Sequence, residues 1–144
     1  MRALMCGGGT AGHVNPALAI AETIEQNSPD SKIAYAVTEN GIENRLVKYP
    51  KYTVKISGLK KNIISNIKVV YLALKSIKAS KNIIKDFKPD IVIGTGGYSC
   101  FPVLFAAHKL GIKTAIHESN AYPGKTTRLL HKIITSLQHP KHPR

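Results

Sequence analysis

Short apolar runs alternate along the chain with longer stretches of helical periodicity, and this alternation limits the possible folds more than any other feature. The first apolar run, Ala3-Leu4-Met5-Cys6, ends in three glycines, and apolar residues then recur at helical spacing from Asn15 to Gln26. Further strands are predicted at 33–37, 52–56, 90–93 and 114–116, with a sixth beginning at Ile133 and Ile134. Strands alternating with helices in this way predict βαβ units in a doubly wound, mainly parallel sheet of the α/β class.

The length of 144 residues allows one domain with a real core and leaves little room for a second. We assign residues 1–136 to that domain and 137–144 to a polar, proline-broken tail that is predicted to be disordered. The longest apolar runs fall far short of a membrane-spanning helix, and the apolar start is too short for a secretory signal. With only Cys6 and Cys100 available, a disulfide framework is not expected. A cytoplasmic location is therefore expected.

The charge is strongly positive, with 21 Lys and Arg against 8 Asp and Glu, a formal net charge of +13. Such an excess favours anionic partners: phosphates, nucleic acid or an acidic membrane surface. Nucleic acid ranks last, because the basic residues are not interleaved with aromatic ones and no nucleic-acid motif is present.

Much of the positive charge falls on a long helix predicted from about Ile63 to Phe87. An apolar part that includes Tyr71 and Leu74 is expected to accompany a basic face. That face is either a solvated surface or a docking surface for an anionic membrane. Its lysines, spaced to share one side of the helix, are Lys68, Lys75, Lys78, Lys81 and Lys85.

A glycine-rich loop, Gly7-Gly8-Gly9-Thr10-Ala11-Gly12-His13, follows the first strand and opens a helix. Glycines allow close approach of an anion to backbone N–H groups, and the helix dipole favours negative charge there. The spacing matches neither the dinucleotide fingerprint nor a Walker loop, so a simple tight turn is the alternative. His13, in the first helical turn, is either a neutral base or substrate contact, or a structural residue.

Two more polar loops are predicted at the same edge of the sheet. The sequence Gly94-Thr95-Gly96-Gly97-Tyr98-Ser99 follows the fourth strand, and His117-Glu118-Ser119-Asn120 follows the fifth. In a doubly wound sheet the first and fourth strands can be neighbours, so both glycine loops would face one crevice. Glu118 is a candidate base or sugar ligand, and Asn120 offers both a donor and an acceptor. The alternatives are turn chemistry for the second loop and a surface loop with a helix cap for the third.

Taken together, these motifs resemble the MurG family, and their order and spacing agree over nearly the whole chain up to about Ser136. The matching segments are Gly8-Gly9-Thr10-Ala11-Gly12-His13-Val14-Asn15-Pro16, Ile56-Ser57-Gly58-Leu59, Lys88-Pro89-Asp90, Gly96-Gly97-Tyr98 and His117-Glu118-Ser119-Asn120. Two positions depart from the residues most common in the family: Ala11, where glycine is more frequent, and Ser119, where glutamine is.

The resemblance implies a bacterial enzyme that transfers N-acetylglucosamine from UDP-GlcNAc to lipid I, the undecaprenyl-diphosphate-linked muramyl pentapeptide, to form lipid II. This inverting hexosyl transfer belongs to peptidoglycan synthesis, and so to cell shape and division. It implies a two-domain GT-B fold of which the chain matches the Rossmann-like, acceptor-side N-terminal half. A C-terminal donor-binding domain is then missing, and the chain is expected to be inactive alone. The expected location is the cytoplasmic face of the cell membrane.

The resemblance also implies roles for individual residues. His13 and Glu118 match positions implicated in catalysis, with His13 the preferred base. Contacts to the donor are implied for Thr10, Ala11, Gly12 and Asn120, and contacts to the acceptor diphosphate for Gly8, Gly9, Gly96, Gly97 and Tyr98.

Inverting glycosyl transfer needs a base near the acceptor hydroxyl and stabilisation of the leaving diphosphate. Backbone N–H groups and a helix dipole can supply that stabilisation. The sequence has no Asp-x-Asp motif and no His/Cys cluster at ligand spacing, so neither a metal site nor a cofactor is predicted. The alternative to a transferase half is a non-catalytic module that binds an anion or lipid diphosphate, or a subunit of a split glycosyltransferase that needs a partner chain.

Overall fold

A computed structural model of the chain describes residues 1–54, 66–119, 124–132 and 134–138. Strands and helices alternate through these ranges, as the sequence predicts. The strands are β1 (Arg2–Cys6), β2 (Lys32–Thr38), β3 (Lys51–Val54), β4 (Ile91–Gly94), β5 (Lys113–His117) and β6 (Ser136–Gln138), and the helices are α1 (Ala11–Asn27), α2 (Glu43–Leu46), α3 (Asn66–Phe87), α4 (Cys100–Lys109) and α5 (Lys125–Leu130).

All the strand pairings are parallel, and the strand order is β3-β2-β1-β4-β5-β6. The order reverses between β1 and β4, which defines the switch point of a doubly wound Rossmann-like sheet. The predicted fold class is therefore confirmed. In register, Cys6 pairs with Gly94 and Gly94 with Ile116, so β1, β4 and β5 end at the same edge of the sheet.

The core lies on both faces of the sheet, because successive side chains of a strand point to opposite sides. Along β1, Ala3 and Met5 pack on the side of α1, whereas Leu4 and Cys6 pack on the side of α3 and α4. All four are fully buried. Since full burial of a Leu or Met side chain is worth about 1.5–3 kcal/mol, β1 is a strong anchor for the loop that follows it.

Two element boundaries differ from the sequence prediction. Helix α1 begins at Ala11, four residues before the predicted start, and continues through Pro16. The C-terminal part of the glycine loop is thus the first turn of the helix. Strand β6 runs from Ser136 to Gln138, two residues past the predicted domain boundary, and Ile133 lies outside the described residues. The rest of the predicted tail, 139–144, also lies outside them.

The expected apolar part of α3 is wrong for Tyr71 and Leu74, which are 63% and 61% exposed. The packed side of the helix instead carries Ser76 and Ser80, which are buried, followed by Ile84 and Phe87. The Ser80 hydroxyl donates to the carbonyl of Ser76 at 2.8 Å, so Ser80 fits the interior without a lost hydrogen bond. Because this side of α3 packs against α4, Tyr71 and Leu74 on the opposite side remain exposed.

Among the residues that the structure describes, no helix is both long and apolar enough to cross a membrane.

Candidate functional site

The three polar loops converge, because β1, β4 and β5 are adjacent and end in register. The first loop leaves β1 after Cys6, the second leaves β4 after Gly94, and the third leaves β5 after His117. Ligands of open α/β sheets bind in this crevice, beyond the carboxyl ends of the strands beside the switch point.

The first loop delivers an uncapped helix N-terminus to the crevice. Thr10 occupies the cap position of α1 in an extended conformation, and its side chain makes no capping hydrogen bond. Its carbonyl accepts from the N–H groups of His13 and Val14, at 3.1 and 3.2 Å. The first-turn N–H groups of Ala11 and Gly12 have no partner within a helix, both residues are exposed, and the first turn contains no acidic residue. This terminus can therefore receive an anion.

The imidazole of His13 is held against the second loop. Its Nδ1 lies 3.2 Å from the carbonyl oxygen of Thr95, and the Thr95 hydroxyl donates to the carbonyl of His13 at 2.5 Å. A carbonyl oxygen can only accept, so this contact requires the proton on Nδ1. In the neutral imidazole Nε2 then carries the lone pair, which is the arrangement that a general base needs.

The two glycine loops pack so closely that side chains are excluded between them. Gly96 and Gly97 have positive φ angles of 107° and 84°. A Cβ on Gly96 would lie 2.6 Å from His13 Nδ1, and a Cβ on Gly97 would lie 2.3 Å from the carbonyl oxygen of Gly8. The ring of Tyr98, which is half-exposed, lies over Gly9. A Cβ on Gly9 would be 3.5 Å from that ring. The structure thus brings together His13 and the residues predicted to bind a diphosphate.

Glu118 is placed differently from the other predicted catalytic residue. Its side chain is 3% exposed, and its Oε2 accepts hydrogen bonds from the Gly124 N–H at 3.0 Å and the Thr127 hydroxyl at 2.7 Å. These bonds tie the carboxylate to the residue that precedes α5 and to a side chain in its first turn. Of its neighbours, His117 is half-buried and Ser119 is exposed, whereas Asn120 lies outside the described residues.

Sequence reasoning missed Glu43, a carboxylate beneath the first loop. Its side chain is 1% exposed. Oε1 accepts from the N–H and hydroxyl of Thr38, at 3.0 and 2.6 Å, and Oε2 accepts from the N–H of Gly9 at 3.3 Å. Burial alone would raise the pKa of Glu43, but the hydrogen bonds from Thr38, from the backbone of Glu43 itself and from Gly9 outweigh it and hold the pKa below its ordinary value. The feature of the sequence that could have indicated Glu43 is its position just after β2, whose carboxyl end lies at the same edge of the sheet as the loops.

Tyr35 is a second supporting residue that the sequence did not indicate. Its hydroxyl donates to the carbonyl of Gly7 at 2.7 Å from a fully buried position on β2. Burial raises the pKa of this phenol far above its usual value, so it remains a donor. The first loop is therefore held from below at both Gly7 and Gly9.

The remaining predicted residues lie on α3. Lys75, Lys78 and Lys85 are exposed and Lys81 is half-buried, while Lys68 lies in the first turn of the helix. In the described part of the chain, no three His, Cys, Asp or Glu side chains are grouped so as to hold a metal ion. Cys6 and Cys100 are both buried free thiols.

The sheet order and the loops at its switch point define the class: a Rossmann-like α/β domain in which two glycine loops and a histidine pack together at the carboxyl edge of the sheet. The family follows from comparison with known proteins. Residues 3–138 match the glycosyltransferase family 28 N-terminal domain, and the chain belongs to that family.

The relatives agree with this assignment. The chain is 48% identical over 141 residues to the UDP-N-acetylglucosamine--N-acetylmuramyl-(pentapeptide) pyrophosphoryl-undecaprenol N-acetylglucosamine transferase of Alkaliphilus oremlandii, covering 95% of this chain and 38% of that protein. A Bacillus thuringiensis enzyme of the same name is 46% identical, with 39% of its length covered. The crystal structure of Acinetobacter baumannii MurG superposes with a TM-score of 0.82 at 33% identity, over 94% of this chain and 40% of that one. The resemblance to the MurG family is thus confirmed, and the chain spans about two fifths of these relatives.

Proposed function

We propose that this chain is the acceptor-side half of an enzyme that transfers N-acetylglucosamine from UDP-GlcNAc to lipid I in peptidoglycan synthesis. The observation that carries the proposal is the packing of both glycine loops around His13, whose tautomer is set by Thr95. The relatives' names supply the substrates. Because the chain spans about two fifths of their length, we propose that transfer needs the remaining donor-binding part, on the same chain or a partner chain.

In the proposed reaction, the acceptor hydroxyl gives its proton to Nε2 of His13 while its oxygen bonds to C1 of N-acetylglucosamine. The bond between C1 and the diphosphate of UDP breaks, and UDP leaves with the electron pair. The configuration at C1 inverts, since attack and departure occur on opposite faces. His13 needs no change of tautomer for this step, because the Thr95 carbonyl keeps Nδ1 protonated.

The residue roles follow from which parts of the loops are open. We propose that the acceptor diphosphate lies along Gly96, Gly97 and Tyr98 and across Gly9 to the first-turn N–H groups of α1, while buried Gly8 leaves space for the Glu43 carboxylate beneath the loop. The donor is proposed to contact Thr10, Ala11 and Gly12, together with Asn120. For Glu118 we propose a positioning role at the start of α5, since its carboxylate is already bonded there.

The test of this site is an NMR titration of the isotopically labelled chain with geranyl diphosphate, a short soluble prenyl diphosphate, and with UDP. Saturable shifts of the amides of 9–12 and 96–98 on adding the prenyl diphosphate are expected, because backbone N–H groups are the proposed ligands. UDP is expected to shift 10–12 without shifting 96–98. Saturable prenyl diphosphate binding that leaves both loops unshifted would contradict the proposed site.

We also propose that α3 docks the enzyme on the anionic cytoplasmic face of the membrane, where a lipid-linked acceptor resides. Exposed Tyr71 lies one and two turns from Lys75 and Lys78 on the same face of the helix. Leu74, also exposed, lies one turn from Lys78 and three turns from Lys85 on that face. Apolar side chains between lysines are the composition expected of an interfacial helix.

Replacing Lys75, Lys78 and Lys85 by Glu should weaken binding to phosphatidylglycerol vesicles at low salt by at least about tenfold, since each lysine near such a surface contributes about 1 kcal/mol. Vesicle co-sedimentation at two salt concentrations measures this. The matched control replaces Lys32, Lys48 and Lys113, which are exposed elsewhere, and makes the same change in charge. Equal weakening by both triple variants would assign the effect to net charge and contradict a docking face.

A further inference from the structure

We infer that Glu43 is a positioning residue for the first glycine loop, and so sets which backbone N–H groups the diphosphate site presents. This inference rests on the proposed function, because it assigns a role within that site. Glu43 comes from α2 and touches neither proposed substrate.

The contacts of Glu43 join two parts of the fold that are distant in sequence. Oε1 is fixed by two donors from Thr38 at the end of β2, and Oε2 reaches the Gly9 N–H, 34 residues away in the chain. One rigid carboxylate therefore ties the first loop to the sheet. Gly9 has a φ of 86°, which glycine populates about as readily as a negative φ, so the contact with Glu43 helps to select this conformation.

Two glycines make room for this carboxylate. A Cβ on Gly8 would lie 2.7 Å from Glu43 Oε1, and a Cβ on Gly41 would lie 2.0 Å from the same atom. The cavity beneath the loop is thus shaped to the carboxyl group on both sides. Gly8 is predicted to contact a diphosphate. It also leaves room for the Glu43 carboxylate on the inner side of the loop.

The contact also divides the N–H groups of the loop between two tasks. The Gly9 N–H donates inward to Glu43, whereas those of Ala11 and Gly12, at the uncapped start of α1, remain for a ligand. With Gly9 held, the following peptides are fixed in direction before any ligand arrives. Donors fixed beforehand bind an anion without the cost of ordering them.

The test separates the loop contact from the strand contact with two variants. In Glu43→Gln, the amide oxygen should stay on the Thr38 N–H, so the NH₂ group faces the Gly9 N–H and that contact is lost. In Thr38→Val, the hydroxyl bond to Oε1 is lost while the Gly9 contact remains. Both variants remove a hydrogen bond from one buried group, so their losses of stability should be comparable. Glu22→Gln, exposed on α1, is the control for charge.

We expect Glu43→Gln to shift the Gly9 amide resonance and to weaken geranyl diphosphate binding about tenfold, which is the scale of one lost hydrogen bond to a charged group. Thr38→Val and Glu22→Gln should leave the affinity within about twofold. Affinities that fall equally in Glu43→Gln and Thr38→Val would reduce Glu43 to a stabilising residue and overturn the inference. An affinity that rises in Glu43→Gln would show charge repulsion instead, and would also overturn it.

The inference and the proposed function can fail separately. If the unaltered chain binds no diphosphate, the proposed function fails. The Gly9 amide still decides the role of Glu43 in that case: an unshifted resonance in Glu43→Gln shows that the loop is not held by it, and a shifted one supports the contact.

Discussion

Replacing His13 by Asn is expected to lower the kcat of glycosyl transfer by about 10²–10⁴-fold, the usual contribution of a general base. The assay uses a chimera in which this chain replaces the matching N-terminal part of the Alkaliphilus oremlandii relative. The Asn amide nitrogen can still donate to the Thr95 carbonyl, as Nδ1 does, but it has no basic atom at the position of Nε2. Packing is therefore retained while proton transfer is lost.

The control for this variant is His108→Ala, which removes an exposed imidazole from α4 and should leave kcat within about twofold. KM for the acceptor should change little in His13→Asn, because the loops remain in place. A His13→Asn chimera that keeps more than a tenth of the rate would mean that another group accepts the proton.

Replacing Gly97 by Ala is expected to destabilise the chain by about 3 kcal/mol, among the larger effects of single substitutions. Its φ of 84° disfavours any side chain, and the new Cβ would lie 2.3 Å from the backbone oxygen of Gly8, which has little freedom to move. Separation of the two loops is the route by which this clash can be relieved. Urea unfolding followed by circular dichroism measures the stability.

Gly111 provides the matched control, because its φ of 72° imposes a similar strain with nothing within 4 Å of an added Cβ. Gly111→Ala should therefore cost only the conformational term of about 1–2 kcal/mol. The difference between the two variants isolates the contact between the loops. Equal losses of stability would show that the loops do not pack against each other as described.

The convergence of the loops was predictable from sequence because each follows an apolar strand. Cys6, Gly94 and His117 end three such strands, and in a parallel sheet the carboxyl ends share one edge. Only the neighbouring placement of β1 and β4 had to be assumed, and the strand order confirms it. The strand-to-helix turn at Gly9 likewise needed only local chemistry.

What sequence could not provide were contacts between distant residues. Glu43 is an ordinary acidic residue in a short helix until its carboxylate is seen to meet the N–H of Gly9. Glu118 stands at a strand end, where a catalytic carboxylate is expected, yet its hydrogen-bond partners Gly124 and Thr127 begin α5. In each case the role of the carboxylate depends on which other segment of the chain the fold places beside it.

The decisive experiment for the proposed function is transfer of N-acetylglucosamine from UDP-GlcNAc to a soluble lipid I analogue by the chimera carrying the unaltered chain. We expect inverting transfer by the chimera and none by the chain alone. A folded chimera that binds UDP-GlcNAc but forms no product, beside an active Alkaliphilus oremlandii enzyme, would contradict the proposal that this chain supplies the acceptor site and the base. So would full transfer by the chain alone.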